Sequence, residues 1–116
     1  MISTSIIIPV YNEEKTVLNI LDKIKNLKVR SDIEVVVIND GSTDNTKKLI
    51  EDNKDYYNKV LHLDRNSGKG RAIIEGLKIA TGDYIFFQDA DLEYSPEDLH
   101  NFVEIVINNK ADLIMG

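Results

Sequence analysis

Asp89, Asp91 and Glu93 occupy alternate positions in "FFQDADLEY" (residues 86–94), directly after an apolar run. Carboxylates at every second residue of an extended segment point to one side, where their mutual repulsion must be neutralised. A divalent cation meets that need, because a hard ion such as magnesium takes a few protein oxygens and completes its shell with phosphate oxygens. Ala90 removes bulk between the two aspartates. The competing reading is a solvated acidic turn that closes a strand, and the nonapeptide alone leaves both open.

Other stretches bear on the choice. "DRNSGKGRA" (residues 64–72) gathers Arg65, Lys69 and Arg71 around Gly68 and Gly70. Backbone N–H groups at a helix start, with a lysine beside them, make an anion site, and the alternative is a solvated basic turn. The stretch is not a Walker loop, since Leu63 and Gly70 stand where that motif has its first glycine and its magnesium-binding hydroxyl. In "VVVINDGSTDNT" (residues 35–46), an apolar strand runs into Asp40, and Gly41 permits a sharp turn. The Asp40 carboxylate is then aimed over the edge as an acceptor for a base or ribose, while Ser42, Thr43 and Asp44 are expected as helix N-caps. "PVYNEE" (residues 9–14) contains Pro9, which stiffens the strand exit, and Tyr11, whose flat ring suits stacking on a nucleobase. Glu13 and Glu14 are expected in a first helical turn, where the macrodipole favours acids, with Glu13 also open to ligand contact. His62 and His100 are isolated and read as structural or surface residues.

The elements that must position these residues follow from periodicity. Short β-branched runs alternate with longer segments of helical period, the pattern of βα units feeding a mostly parallel sheet. Strands are expected near residues 4–9, 33–38, 58–63, 83–88 and 111–115. Val17, Ile20, Leu21, Ile24 and Leu27 mark one face of a first helix, and Leu49 and Ile50 anchor a second. Ala72, Ile73, Gly76, Leu77 and Ala80 give a third, with Gly82 expected as its left-handed cap. A fourth is expected from "SPED" onward, with Leu99, Phe102, Val103 and Val106 as its stripe. In open α/β sheets ligands bind beyond the carboxyl ends of the strands, and all of the polar loops above fall on that edge.

Composition bounds the function. A chain of 116 residues forms one domain, and its lack of cysteine removes disulfides, thiolate metal sites and a cysteine nucleophile. A formal net charge of -6 disfavours nucleic-acid binding. The apolar runs are too short to cross a bilayer, and no signal peptide is legible, so a cytoplasmic location is expected.

"SIIIPVYNEE", "VVVINDGSTDNT", "NSGKGRA" and "ATGDYIFFQDADLEYSPEDL" together resemble the family 2 glycosyltransferases in order and spacing, and most of all the branch that moves mannose or glucose onto a polyprenyl phosphate. The resemblance implies a GT-A fold, a three-layer Rossmann-like α/β architecture, with a nucleotide-diphosphate sugar donor, inversion at the anomeric carbon, and Mg2+ or Mn2+. It places Pro9, Tyr11 and Glu13 beside the base and ribose, Asp40 on the base, and Asp89, Ala90 and Asp91 in the Asp-X-Asp motif. Asp91 is then the firmest metal ligand, Asp89 is near ribose and metal, and Glu93 is a further ligand. Lys69 lies in the family's Gly-Lys-Gly segment and is expected to contact the donor. Residues 1–116 would be the donor-binding half, ending about five strands into the sheet, with the acceptor half absent and little transfer by this piece alone. Two further expectations are homodimerisation through exposed apolar surface and attachment of the longer protein to a membrane. Three rivals are a sugar-nucleotide pyrophosphorylase, an aspartyl phosphatase with Asp89 as nucleophile, and a nucleotide-binding scaffold without catalysis.

Overall fold

The computed structural model describes residues 3–27 and 32–88. Four strands, β1 (Ser3–Val10), β2 (Asp32–Asn39), β3 (Lys59–His62) and β4 (Tyr84–Phe87), alternate with three helices, α1 (Val17–Lys25), α2 (Thr46–Glu51) and α3 (Lys69–Ile79). A 3-10 turn at Lys54–Tyr56 leads into β3. All strands are parallel, in the order β3-β2-β1-β4. The expected fifth strand near residues 111–115 and the helix starting at "SPED" lie outside the described residues.

The apolar runs form strands buried on both faces, as parallel sheets require. Ile6, Ile8, Val10, Val35 and Val37 pack with Val17, Ile20, Leu21 and Ile24 of α1 and Ile50 of α2. Ile7, Val36 and Ile38 pack on the opposite face with Ala72 of α3. The chain is therefore three layers, and each such side chain removed from water contributes about 1.5–3 kcal/mol. On α3 the buried face is Ala72 and Gly76, whereas Leu77, expected on that face, is 44% exposed. A Cβ at Gly76 would lie 2.6 Å from Ile7 Cγ2, so the helix backbone sits against the sheet there, with Ile73 and Ile79 packed beside it and Leu77 turned outward.

Gly82 differs from expectation in its role. Among the described residues, positive φ occurs at Asn12, Gly41 and Gly68, not at Gly82. A Cβ on Gly82 would lie 2.5 Å from the Ser5 backbone N, and the Gly82 N–H donates to Ser5 Oγ at 2.8 Å. Close approach between β1 and the entry to β4 explains the glycine.

That contact belongs to a clasp at the amino edge of the sheet. Glu34 accepts from Ser5 Oγ at 2.7 Å, from the Thr81 N–H at 2.9 Å and Thr81 Oγ1 at 2.8 Å, and pairs with Lys59 Nζ at 3.2 Å. Burial alone would raise the Glu34 pKa, but the hydrogen bonds from Thr81, Ser5 and Lys59 outweigh it and bring it down to about 2. Lys59 Nζ also donates to Ile79 O at 2.6 Å, so the end of α3 is tied to the start of β3.

Candidate functional site

The carboxyl edge carries the loops after β1, β2 and β3, and its geometry begins with strand order. Successive units run outward from β1 through β2 to β3, and the chain then crosses to β4 on the other side of β1. Strand order thus reverses between β1 and β4, which makes a crevice at their carboxyl ends, the position where open α/β sheets take ligands.

Pro9 sits at this switch. The Asp40 N–H donates to Val10 O on the β2 side, and the Gln88 N–H donates to Ile7 O on the β4 side. Alternation along β1 puts the missing N–H of Pro9 on the β4 side, so the ladder toward β4 loses its next donor while pairing to β2 continues to Val10↔Asn39. Gln88, buried, is the last described residue. Asp89, Ala90, Asp91 and Glu93 lie outside the described residues. Among the described residues no group of three or more His, Cys, Asp or Glu side chains could hold a metal ion.

The loop after β1 is joined to the loop after β2. Asn12 has φ 51°, its N–H donates to Ser42 Oγ at 3.0 Å, and its Oδ1 accepts the Thr43 N–H at 2.7 Å. The Glu13 N–H donates to Thr46 Oγ1 at 2.9 Å, and Glu14 Oε2 accepts the Asn45 N–H at 3.3 Å. Glu13 and Glu14 therefore precede α1, whose first turn holds no acid, and are spent on a turn and on the neighbouring loop instead of the α1 macrodipole. Thr16 Oγ1 donates to Glu13 Oε2 at 3.0 Å, which orients that carboxylate. Ser42 and Thr43, expected as caps of α2, bond to Asn12, and only Asp44 serves the helix start, accepting the Thr46 N–H at 2.9 Å. Burial opposes ionisation of Asp44, but its bonds from Thr46 prevail and lower its pKa. Tyr11, directly before Asn12, is 41% exposed.

The loop after β2 is joined in turn to the loop after β3. Asp40 is buried, with Oδ1 accepting the Ser67 N–H at 2.8 Å and Oδ2 the Gly68 N–H at 2.9 Å. Each oxygen retains a lone pair, so a ligand contact at Asp40 would share a carboxylate that already shapes the loop. Gly41, at φ 69°, packs so closely that a Cβ would lie 2.2 Å from the Arg65 carbonyl carbon. Asn39, also buried, accepts the Ser42 N–H at 3.2 Å through Oδ1, and its Nδ2 lies 3.0 Å from His62 Nδ1. Burial lowers the His62 pKa, with Glu51 opposing and Lys47 reinforcing, so the ring is neutral at pH 7 and Nδ1 can accept from Asn39.

Lys69 opens α3 immediately after Gly68 and is exposed. Beside it, Leu63, Asp64, Arg65, Ser67 and Arg71 line a concavity of about 510 Å³. Arg71 Nε also pairs with Glu75 along the helix at 3.0 Å. The structure brings Pro9, Tyr11, Glu13, Asp40 and Lys69 to one edge. Sequence reasoning passed over Asn12 and Asn39. The available signal for Asn12 was its type, since asparagine is among the few side chains that accept the left-handed region.

A parallel α/β sheet with a switch-point crevice flanked by polar loops is shared by doubly wound α/β folds, and the solved neighbours identify this one as the nucleotide-diphospho-sugar transferase architecture, the GT-A fold. S. aureus TarS 1-349 in complex with UDP-GlcNAc matches with a TM-score of 0.78 at 32% identity, over 95% of this chain and 32% of that one. Mannosyltransferase PcManGT from Pyrobaculum calidifontis, in complex with GDP-Man and Mn2+, matches with a TM-score of 0.75 at 30% identity, over 90% of this chain and 32% of that one. The profile of Glycosyl transferase family 2 matches residues 5–116, and the chain belongs to that family. Curated relatives include the dolichol-phosphate mannosyltransferase of Pyrococcus furiosus, 35% identical over 97% of this chain and 32% of the relative. The undecaprenyl-phosphate 4-deoxy-4-formamido-L-arabinose transferase of Proteus mirabilis is 36% identical over 85% of this chain and 32% of the relative. The chain spans less than half of the length of the curated relatives it matches, 32% of each of these two.

Proposed function

We propose that residues 1–116 are the donor-binding half of a glycosyltransferase that moves a hexose from a nucleotide-diphosphate sugar to a polyprenyl phosphate. The observation that supports this reading is that Tyr11, Glu13, Asp40 and Lys69 stand on the loops at the carboxyl edge of the sheet, in a chain of this family. The relatives named for dolichol-phosphate and undecaprenyl-phosphate transfer support the acceptor. Tyr11 offers its exposed ring to the base, with Pro9 holding the strand exit beneath it. Asp40 accepts from the base with its remaining lone pairs, and Lys69 at the start of α3 meets the diphosphate. Reaction is in-line displacement of the nucleoside diphosphate from the anomeric carbon, with inversion. A phosphate acceptor, whose second pKa is about 6, is largely dianionic at neutral pH and needs no general base.

Asp89, Asp91 and Glu93 supply only carboxylate oxygens, a donor set that fits Mg2+ or Mn2+, with Asp91 the principal ligand. When bound, the ion supplies Lewis-acid stabilisation of the charge that grows on the leaving diphosphate. A mannosyltransferase neighbour crystallised with GDP-Man and Mn2+ supports this choice.

No helix among the described residues is long and apolar enough to cross a membrane. Action on a lipid-phosphate acceptor would nonetheless bring the protein to a membrane surface. Self-association lacks support: the exposed large apolar side chains among the described residues are Tyr11, Ile74 and Leu77, and a stable interface buries about 800 Å² per partner.

Calorimetry with UDP and GDP, with and without Mn2+, tests the site. Wild type should bind one nucleotide in a Mn2+-dependent manner, and Asp91→Ala should weaken that binding by about tenfold or more, the loss of a charged ligand contact. Unchanged binding in Asp91→Ala would remove the metal from this reading.

A further inference from the structure

Asn12 lies outside the residues assigned above to donor or metal. Its backbone has φ 51°, the one non-glycine residue in the left-handed region among the described residues. Most L-residues held there cost about 1–2 kcal/mol, glycine adopts the conformation without that penalty, and asparagine is tolerated because its amide can bond locally. A side chain at this position is therefore used for something that a bare backbone cannot do.

Its contacts show the use. Oδ1 accepts the Thr43 N–H at 2.7 Å and, more loosely, the Asp44 N–H at 3.4 Å, while Nδ2 donates to Thr43 Oγ1 at 3.2 Å. The Asn12 N–H donates to Ser42 Oγ at 3.0 Å, and Ser42 is anchored through its own N–H to Asn39 Oδ1 at 3.2 Å. Asn39 reaches His62 of β3 at 3.0 Å, so the main-chain N–H of Asn12 is the outer end of a polar chain rooted between β2 and β3, and the side-chain amide adds a separate tie to Thr43 and Asp44. Tyr11 and Glu13 are its immediate neighbours in sequence, and the turn angle at residue 12 sets the direction in which each leaves β1.

We propose that Asn12 is a positioning residue of the donor site: its amide locks the loop after β1 to the loop after β2 and so holds Tyr11 and Glu13 in the orientation that receives a nucleoside diphosphate. The inference rests on the donor-facing reading of Tyr11 and Glu13 given above. It assigns Asn12 no contact with the ligand.

The test separates the backbone from the amide. Asn12→Gly keeps the left-handed turn and deletes the side-chain bonds, whereas Asn12→Asp keeps the oxygen that accepts the Thr43 and Asp44 N–H groups. Two readouts are taken on the 116-residue chain: affinity for UDP and GDP in Mn2+ by calorimetry, and amide hydrogen exchange at Thr43 and Asp44. Asn12→Gly should exchange faster by about tenfold at Thr43 and bind nucleotide about tenfold more weakly, the effect of one lost hydrogen bond of ordinary strength, with its thermal midpoint close to wild type. Asn12→Asp should recover both to within about threefold. Wild-type affinity in Asn12→Gly, or an equal loss in Asn12→Asp, overturns the proposal. If Asn12→Gly does not fold, Asn12→Ala deletes the same side-chain bonds to Thr43 and Asp44 and should lower affinity in the same way; wild-type affinity in Asn12→Ala overturns the proposal. If the wild-type chain binds neither nucleotide, the donor site itself is wrong and the positioning role falls with it. Faster exchange in Asn12→Gly would then leave a loop lock without that purpose.

Discussion

Glu34 and Asp40, six residues apart on one strand and its exit, show how a carboxylate's partners decide its part. Glu34 is clasped at the amino edge by Ser5, Thr81 and Lys59. Asp40 organises the opposite edge by accepting backbone N–H groups from Ser67 and Gly68. The Glu34 pKa is lowered from 4.5 to about 2, so its contribution to stability is complete above pH 4.5 and is lost as pH falls from there toward 2. Its side chain is 19% exposed, and with that screening the contribution is about 2 kcal/mol. Glu34→Gln should lower the unfolding free energy by about that amount at pH 7 and flatten its decline between pH 4.5 and 2, as measured by urea titration at stepped pH. An equally steep acid decline in Glu34→Gln would contradict the role of the clasp.

At the scale of elements, α3 contains a contrast between two glycines on one helix. A Cβ at Gly70 would meet nothing within 4 Å, whereas at Gly76 it would press on Ile7 Cγ2 at 2.6 Å and Ile38 Cγ1 at 3.3 Å. Helix propensity favours alanine over glycine by about 1 kcal/mol at an interior position. Gly70, the second residue of α3, gains less than an interior position would, so Gly70→Ala should raise stability by about 0.5 kcal/mol, and Gly76→Ala should lower it by about 1–3 kcal/mol through overpacking against β1 and β2. Thermal or denaturant unfolding of both variants reads the opposite signs, and a stabilising Gly76→Ala would show that α3 can lift from the sheet. The same element illustrates what periodicity conveys. The spacing of Ala72, Ile73 and Gly76 announces the packed face, but Leu77 shares that spacing and is turned outward, and the depth of the Gly76 contact is a property of the sheet beneath it.

For the whole molecule, a net charge of -6 sets the electrostatic problem that any nucleoside diphosphate must meet. The proposed donor binding against that background would draw on local N–H groups, a few cations and the proposed metal ion. Chelation with EDTA should weaken UDP or GDP binding to the level of Asp91→Ala and have no further effect on that variant, again by calorimetry; an additive loss would place the metal elsewhere. The polar loops at one edge, the three helices and the four strands were legible from β-branched runs and 3.6-residue spacing, because burial on two faces of a parallel sheet leaves few other patterns. The family, too, was legible, since loops that position a ligand keep recognisable residue types at recognisable spacings. Other matters were not. Gly82 looked like a helix cap and is a close contact with Ser5; Glu13 and Glu14 looked like first-turn acids and precede the helix; Ser42 and Thr43 looked like caps and hold Asn12. Local sequence determined which segments are strands, which are helices and which edge is polar, because those depend on neighbours a few residues apart. Only the tertiary structure decided which carboxylates, amides and hydroxyls are bound to one another across the loops, because those partners lie tens of residues apart and meet only when the sheet order brings them together.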